Sequence, residues 1–231
     1  MEVNNKIAIV TGASEGIGLA LSRALTREGA RVVLAARSED KLKEIEKELP
    51  GSLAVAADLR KPEDIARLVK LAIEKFGRVD ILVNNAGQGI YGPVEMIDID
   101  QYKEVLELNL FAVIRAMQAV IPHMRSQGGG IIVNISSMLS KQIIPGLAPY
   151  ASMKYAINAL SLTARMELAK DNIIVSVFHP KVTVTHFGLN AINPRTDGRE
   201  TGVAGPDTDT AEDVAWHIVD LIRSEQAEMM M

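Results

Sequence analysis

The sequence predicts an α/β fold in which helices cover both faces of a parallel sheet. Short runs rich in Ile and Val alternate with longer segments of helical spacing along all 231 residues. Strands buried on both faces have such continuous apolar runs, and parallel neighbours need crossover connections, which helices provide. With 48% hydrophobic and 23% charged residues, the chain has the composition of a single domain with a substantial core, over 1–231.

Six strands are expected, each a short apolar run between turn residues. They are KIAIV (6–10), RVVLA (31–35), SLAVAA (52–57), ILV (81–83), GIIVN (130–134) and IIVSVF (173–178). Helices are expected at 16–28, 39–49, 62–76, 101–125, 149–170 and 210–224. The final AEMMM suits either a short seventh strand or a tail, and the sequence leaves both open.

Charge and composition narrow the classes of partner. Twenty-five basic and 29 acidic residues give a net charge of −4 with no basic block, so nucleic acid is not expected as a partner. No uninterrupted apolar run approaches the roughly 18 residues that span a bilayer, so no membrane partner is expected. The absence of cysteine is compatible with a cytoplasmic protein, and the scattered histidines predict no metal site.

A glycine-rich turn, TGASEGIG, follows the first expected strand and leads into a helix. Gly12 permits a tight turn, Gly16 permits close approach of a bound group, and Gly18 permits close packing of helix and strand. The first amides of the helix point at this turn and favour a pyrophosphate. The turn therefore predicts dinucleotide binding by a Rossmann-like, doubly wound sheet. A glycine-rich turn without any ligand is the alternative.

The end of the second strand bears on the choice of dinucleotide. Many folds of this type place an acidic residue there, on the adenosine ribose hydroxyl. This chain has Ala36 followed by Arg37, which leaves room for a 2′-phosphate and provides a guanidinium to bind it. The sequence thus favours NADP over NAD, although Glu15 in the glycine-rich turn opposes additional phosphate charge. A solvated surface arginine is the alternative for Arg37.

Tyr150 and Lys154 lie one helical turn apart at the start of an expected helix. A phenol has a pKa of about 10, and lowering it by about three units requires roughly 4 kcal/mol of preference for the phenolate. A nearby ammonium in a partly desolvated cleft has the charge to do this. Ser137, at the end of the fifth strand, is expected to donate to the substrate oxygen, with Ser136 as the alternative.

Together these motifs resemble the short-chain dehydrogenase/reductase family over nearly the whole chain. The residues that carry the resemblance are TGASEGIG (11–18), Asp58 with Leu59, NNAG (84–87), Asn109, Ser137, Tyr150 with Lys154, and PKVTVT (180–185). The resemblance implies an oxidoreductase that moves hydride between NADP(H) and a carbonyl or secondary alcohol, with Tyr150 transferring the proton. It also implies that Lys154 holds the nicotinamide ribose and that Asn109 keeps a water in the proton relay. A satisfied interior amide is the alternative for Asn109.

The resemblance implies the cofactor contacts as well, with Asp58 at the adenine, NNAG behind the cofactor, and the segment after Pro180 at the nicotinamide. A helix or turn cap is the alternative for Asp58. The predicted cofactor-binding residues are Gly12, Ser14, Gly16, Ile17, Gly18, Arg37, Asp58, Leu59, Asn85, Ala86, Gly87, Tyr150, Lys154, Pro180, Val182, Thr183 and Thr185. The predicted catalytic residues are Asn109, Ser137, Tyr150 and Lys154.

One position departs from the family pattern, because Lys181 stands where the family usually has glycine after proline. A solvent-pointing lysine is the simpler interpretation, and steering of an acidic substrate is the alternative. The long irregular stretch beyond it predicts a substrate loop at about 183–209 that is partly disordered without ligand. A catalytically silent dinucleotide sensor remains a second class of function, since a fold alone does not establish chemistry.

The last predictions concern the substrate pocket and the assembly. Apolar residues on more than one face of 101–125 and 149–170 indicate contact with another subunit, and the resemblance points to a homodimer or homotetramer. The substrate is expected to be a small, apolar carbonyl or alcohol. Candidate pocket residues are Ile90, Tyr91, Met138, Leu139, Ile143, Leu147, His186 and Phe187.

Overall fold

A computed structural model describes residues 1–193 and 208–231. Within them, seven parallel strands form one sheet in the order β3-β2-β1-β4-β5-β6-β7. The strands are β1 Ile7–Thr11, β2 Arg31–Ala36, β3 Leu53–Ala56, β4 Ile81–Asn84, β5 Gly130–Ile135, β6 Ile173–His179 and β7 Glu228–Met230. The predicted α/β class and the six predicted strands are confirmed, and the final residues form a seventh strand.

Helices connect the strands close to the predicted positions. They are α1 Gly16–Arg27, α2 Glu39–Glu48, α3 Pro62–Phe76, α4 Ile99–Leu106, α5 Ala112–Ser126, α6 Ala148–Leu168 and α7 Ala211–Ser224. The expectation of one uninterrupted helix over 101–125 was wrong in detail. A π-helical turn, Glu107–Phe111, joins α4 to α5, and such turns insert an extra residue that hydropathy spacing does not reveal.

Side chains along each strand alternate between two apolar layers. In β1, Ala8 and Val10 pack in the layer of α1, α2 and α7, whereas Ile7 and Ile9 pack in the layer of α3, α5 and α6. All five residues of β1 are buried, as expected for a strand with apolar layers on both faces of the sheet. Strand order reverses between β1 and β4, so the carboxyl ends of these strands border a crevice in which such sheets bind ligands.

The helix that runs from Ile99 to Ser126 is long and apolar enough, by length and composition, to cross a membrane. The sequence shows no uninterrupted apolar run here, because polar residues interrupt the helix, although its mean hydropathy is apolar. Its inner face packs in the layer with α3 and the sheet. A core helix of an α/β domain meets the same criterion, so the absence of a membrane partner stays a prediction.

Asp80 joins three strands at the amino end of the sheet. Its Oδ2 accepts from the Ile7 amide at 2.9 Å, and its backbone bonds to β1 and β5. The guanidinium of Arg78 donates to the same carboxylate, with Nη2 at 2.6 Å from Oδ1. The carboxylate is only 2% exposed, so its removal leaves a buried amide without an acceptor.

We expect Asp80→Ala to lower the free energy of unfolding by about 2 to 4 kcal/mol, because a buried, hydrogen-bonded charge is lost. The matched control is Asp100→Ala, which breaks an exposed pair with Lys103 and is expected to cost less than about 1 kcal/mol. Urea denaturation measures both. Equal costs would contradict the role assigned to Asp80.

Candidate active site

The cleft begins at the glycine-rich turn between β1 and α1. Gly12 and Gly16 have φ angles of +67° and +55°, in the left-handed region that favours glycine. A Cβ on Gly12 would lie 2.9 Å from Asn85 Nδ2, and one on Gly18 would lie 2.2 Å from the Gly12 carbonyl oxygen. The turn therefore presents backbone to the cleft and packs tightly behind it.

This backbone fits a dinucleotide pyrophosphate. The helix α1 begins at Gly16, and no side chain caps its amino end. The amides of its first turn are thus available to an anion, and the helix dipole favours negative charge there. The cleft continues from this turn past the ends of β2, β4, β5 and β6, with a volume of about 630 Å³.

Thr11, the last residue of β1, holds the NNAG segment beside the turn. Its Oγ1 accepts from the amides of Asn85 and Ala86 at 2.9 and 3.0 Å. Asn85 Nδ2 donates in return to the Thr11 carbonyl at 2.8 Å. Thr11 was not among the predicted site residues. The available signal was a polar side chain ending an otherwise apolar strand, because a buried hydroxyl needs partners.

The carboxyl ends of β2 and β3 form the other end of the cleft, where Ala36 brings no acid. Asp58 Oδ1 accepts from the Arg60 amide at 3.2 Å, as the turn-cap alternative requires. The Arg60 guanidinium also donates to this carboxylate, at 2.9 and 2.6 Å. That hydrogen bond lowers the pKa of Asp58, with a smaller contribution from Arg37. Asp58 is therefore charged at neutral pH and already paired.

Glu15, which opposes a second phosphate charge, has positive charge beside it. Its Oε2 lies 3.7 Å from Lys41 Nζ and 3.6 Å from His186 Nδ1. Lys41 also lines the cleft near Arg37. Lys41 was not among the predicted site residues. The available signal was a lysine in the first turn of α2, the helix that follows Arg37. Lys41 thus reduces the electrostatic repulsion that Glu15 alone would exert on a phosphate.

Tyr150 and Lys154 lie in the first turns of α6, on the face that the cleft exposes. Lys154 Nζ lies 5.6 Å from the centroid of the Tyr150 ring and donates to the carbonyl of Ile135 at 2.8 Å. The Tyr150 ring also packs against Tyr91 and Phe187, with centroids 6.2 and 5.7 Å apart. The phenol therefore lies in an aromatic wall with a cation beneath it.

The two serines at the end of β5 have different surroundings. Ser136 is buried, and its hydroxyl donates to Asn158 Oδ1 at 2.6 Å. Both serines border the cleft, but Ser137 Oγ accepts a hydrogen bond from the Leu139 amide at 3.1 Å, which leaves the Ser137 hydroxyl hydrogen free of that bond. The geometry thus favours Ser137 over Ser136 as the hydroxyl that meets a substrate.

Asn109 lies outside the cleft lining, within the π-helical turn. Its Oδ1 accepts from the Gln88 amide at 2.9 Å, and its Nδ2 donates to the Gln88 carbonyl at 2.8 Å. This is the satisfied interior amide that was the alternative interpretation. The side chain fixes the chain immediately after NNAG, and a role in holding water stays a prediction.

The structure brings most of the predicted site residues to one cleft. The lining includes Gly12, Ser14, Gly16, Ile17, Arg37, Asp58, Leu59, Asn85, Ala86, Gly87, Ser137, Tyr150, Lys154, Pro180, Val182, Thr183 and Thr185. Gly18 lies behind the turn, outside the lining. Among the pocket candidates, Tyr91, Met138, Leu139, His186 and Phe187 also line the cleft. The other candidates are not in the lining, since Ile143 is 88% exposed before α6 and Ile90 and Leu147 are buried.

The described part of the loop after β6 closes one side of the cleft. Ile192 pairs with the segment after β4, through a bond from the Tyr91 amide at 3.1 Å and one to the Gly89 carbonyl at 2.9 Å. Lys181 is exposed and lines the cleft, so both interpretations of its side chain stay open. The expectation of partial disorder over 183–209 falls largely on residues 194–207, outside the described residues.

A family model described as short chain dehydrogenase matches residues 6–194. The chain belongs to the short-chain dehydrogenase/reductase family. An uncharacterized oxidoreductase of Staphylococcus epidermidis is 32% identical over 202 residues, which cover 87% of this chain and 84% of the relative. A dehydrogenase/reductase SDR family protein 7-like of Anopheles gambiae is 32% identical over 244 residues, covering 99% and 75%. The predicted family and enzyme class are confirmed.

Solved structures agree with this membership. A 3-ketoacyl-(acyl-carrier-protein) reductase from Brucella melitensis, complexed with NADH, has a TM-score of 0.88 at 25% identity, with 99% of this chain and 97% of that chain covered. The L-sorbose reductase from Gluconobacter frateurii, complexed with NADPH and L-sorbose, has a TM-score of 0.88 at 29% identity, with 100% and 97% covered. This short-chain dehydrogenase/reductase is thus an NAD(P)-linked oxidoreductase acting on CH–OH groups.

The charge on Lys154 destabilises the folded state of this dehydrogenase/reductase. Burial lowers the pKa of its ammonium group from 10.5 to about 8. The charged form therefore still predominates at pH 7, next to Tyr150. A pKa difference of this size corresponds to about 3 kcal/mol, which destabilises the folded state at any pH below about 8. The cost declines as the pH rises from the folded to the unfolded pKa, because both states then become neutral.

We expect Lys154→Met to relieve this cost in the cofactor-free protein. The difference in free energy of unfolding, variant minus wild type, should fall by about 2 to 3 kcal/mol between pH 7 and pH 10. Any constant penalty from the lost bond to Ile135 is the same at both pH values. Urea denaturation across this range makes the measurement, and a pH-independent difference would show that Lys154 is not buried as a cation.

Proposed function

We propose that this protein is an NADP(H)-dependent oxidoreductase that moves hydride between nicotinamide and a carbonyl or secondary alcohol, with Tyr150 as proton donor and acceptor. The observation that carries the proposal is the buried cation of Lys154 beside the Tyr150 ring, on the cleft wall that also bears Ser137. Proton transfer needs a hydroxyl, a phenol and a cation together, so the presence of all three on one wall favours turnover over a silent sensor.

The chain's own residues account for the proton steps. The bound nicotinamide supplies or accepts the hydride. In the reducing direction Ser137 Oγ donates a hydrogen bond to the substrate oxygen, and Tyr150 gives its phenolic proton to that oxygen while the carbon accepts the hydride. The products are an alcohol and a Tyr150 phenolate, which the Lys154 ammonium stabilises. The oxidising direction reverses each of these steps.

The preference for NADP rests on charge at the end of β2. Ala36 leaves space there, and Arg37, Ser38 and Lys41 line the adjoining part of the cleft. A guanidinium and an ammonium both bind phosphate oxygens, and a hydroxyl adds a donor. The solved relatives include one complexed with NADH and one complexed with NADPH, so they do not favour either dinucleotide. The preference for NADP is therefore inferred from these side chains.

The substrate end of the cleft supports an apolar carbonyl compound. Tyr91, Met138, Leu139 and Phe187 line it, next to Tyr150. Apolar side chains bind such compounds by burial of their hydrocarbon surface, while Ser137 and Tyr150 select the oxygen. Turnover of NADPH with a panel of aldehydes and ketones tests this, and binding without turnover across the panel favours the sensor.

We also propose a cytoplasmic homodimer or homotetramer. Phe111, Tyr155 and Met166, on and beside α5 and α6, are 43%, 41% and 82% exposed, and a second subunit would cover them. The molar mass of the purified protein, measured by light scattering, decides between these assemblies and a monomer.

We expect Tyr150→Phe to lower kcat by about 10²- to 10⁴-fold, the usual contribution of a positioned proton donor. Cofactor affinity should change little, because the aromatic ring and its packing remain. Tyr155→Phe is the matched control, since Tyr155 is a half-exposed tyrosine one residue after Lys154. Stopped-flow fluorescence of NADPH gives both rate and affinity. A variant rate within tenfold of wild type would remove the assigned role of Tyr150.

We expect Ala36→Asp to reverse cofactor preference, raising the KM for NADPH at least about tenfold while that for NADH falls. A carboxylate there repels a 2′-phosphate and accepts from the ribose hydroxyls of NADH. Arg37→Met should raise the KM for NADPH alone, because it removes a phosphate ligand and adds no acid. Unaltered selectivity in both variants would contradict the interpretation of β2.

A further inference from the structure

A buried histidine lies directly beneath the turn that carries Ser137. His179 ends β6 and is fully buried. Its Nε2 lies 3.0 Å from Oε1 of Glu228 on β7, and its Nδ1 lies 3.1 Å from the hydroxyl of Ser140. Neither His179 nor Glu228 lines the cleft, so the proton steps above make no use of this pair. A buried imidazole that has polar partners on both sides is oriented rather than free.

The link from His179 to Ser137 is short. The single turn Met138–Ser140 follows Ser137 directly. Within it the Ser137 carbonyl accepts from the Ser140 amide at 3.0 Å and from the Ser140 hydroxyl at 2.6 Å. His179 Nδ1 also approaches that carbonyl, at 3.4 Å. The imidazole thus contacts the Ser137 carbonyl both directly and through the Ser140 hydroxyl.

The protonation of the ring determines how the Ser140 hydrogen is used. In a neutral ring, Glu228 accepts from Nε2–H, and Nδ1 then competes with the Ser137 carbonyl for the single Ser140 hydrogen. In a protonated ring, Nδ1–H donates to Ser140 Oγ, and the Ser140 hydrogen belongs wholly to the Ser137 carbonyl. The two protonation states therefore give the turn Met138–Ser140 different hydrogen bonds.

Two charged groups face His179 among the described residues. Burial lowers the pKa of His179, and its hydrogen bond with Glu228 opposes that effect, while nearby Lys141 lowers the pKa further. Lys141 Nζ donates to Glu228 Oε1 at 2.8 Å, and this bond lowers the pKa of Glu228. Glu228 is therefore charged at neutral pH. It connects β7 to the turn Met138–Ser140, because it contacts His179, which in turn contacts Ser140.

We propose that His179 and Glu228 are positioning residues, which hold the turn bearing Ser137 in its reactive geometry through the Ser140 hydroxyl. The inference rests on the proposed function, since it assigns Ser137 to the substrate oxygen. It makes turnover depend on the last strand of the sheet, which lies outside the cleft. It also gives kcat an acidic inflection that follows the charge on His179.

Kinetics of conservative variants test the positioning role. Glu228→Gln keeps the shape of the side chain and removes its charge, and it should lower kcat about five- to tenfold, the size expected for one weakened hydrogen bond. Substrate KM and NADPH affinity should stay within about twofold. His179→Ala should lower kcat more than His179→Asn, because the asparagine amide keeps a hydrogen-bonding group near the Nδ1 position. Thermal unfolding identifies any variant that fails to fold. If the His179 variants fail, Glu228→Gln still tests the positioning role, because its side chain is partly exposed.

The variants Glu228→Gln and Lys141→Met form a matched pair. They are compared by the pH of the acidic inflection of kcat, which simple destabilisation does not shift. Glu228→Gln removes the anion beside His179 and should move the acidic inflection of kcat to lower pH. Lys141→Met removes the cation and should move it to higher pH. Proton NMR titration of His179, assigned by its absence in His179→Asn, should show the same opposite shifts. The alkaline limb should not move, because Tyr150 and Lys154 set it.

The outcomes separate this inference from the proposed function. A wild-type protein that turns over no carbonyl compound contradicts the proposed function. A wild-type protein that turns over, with variants whose NMR pKa of His179 shifts while kcat and its pH profile stay unchanged, overturns the positioning role alone. Opposite shifts in both readouts support it.

Discussion

The burial of one cation beside one phenol is the constraint around which this protein is organised. Lys154 is 6% exposed, and its ammonium donates a hydrogen bond to the carbonyl of Ile135. Water would stabilise that charge better than this site does, so the folded chain bears a cost at neutral pH. The same desolvation makes the charge effective on Tyr150, because a low dielectric strengthens electrostatic interaction. Under the proposed function, the charge on Lys154 thus lowers the stability of the fold and favours proton transfer by Tyr150.

The parallel sheet provides the rigid frame that this arrangement requires. Strands β1, β4, β5 and β6 end on the same side, and each end contributes one polar group to the cleft or its support. Thr11 holds NNAG, Ser137 follows β5, and His179 supports the turn after it. A side chain at the end of a buried strand moves little, since the strand is fixed by ladder bonds on both sides. This is why groups distant in sequence keep one geometry.

Much of this architecture follows from local patterns. Continuous Ile and Val runs predicted the strands because both faces of the sheet are covered, and Gly12, Gly16 and Gly18 predicted the turn because their conformations or contacts exclude a side chain. The π-helical turn at Asn109 was missed, since one extra residue hardly alters hydropathy spacing. The pairing of Asp58 with Arg60 was missed as well, since no periodicity announces a side-chain hydrogen bond.

The sequence by itself determined the order of the elements, the family and most of the groups that the cleft contains. These depend on residue type and short spacing, which a linear chain displays directly. Only the tertiary structure decided that the Ser136 hydroxyl donates to Asn158, that Lys41 lies beside Glu15, and that Glu228 contacts His179. Those facts depend on distances between remote segments, which arise when the sheet assembles.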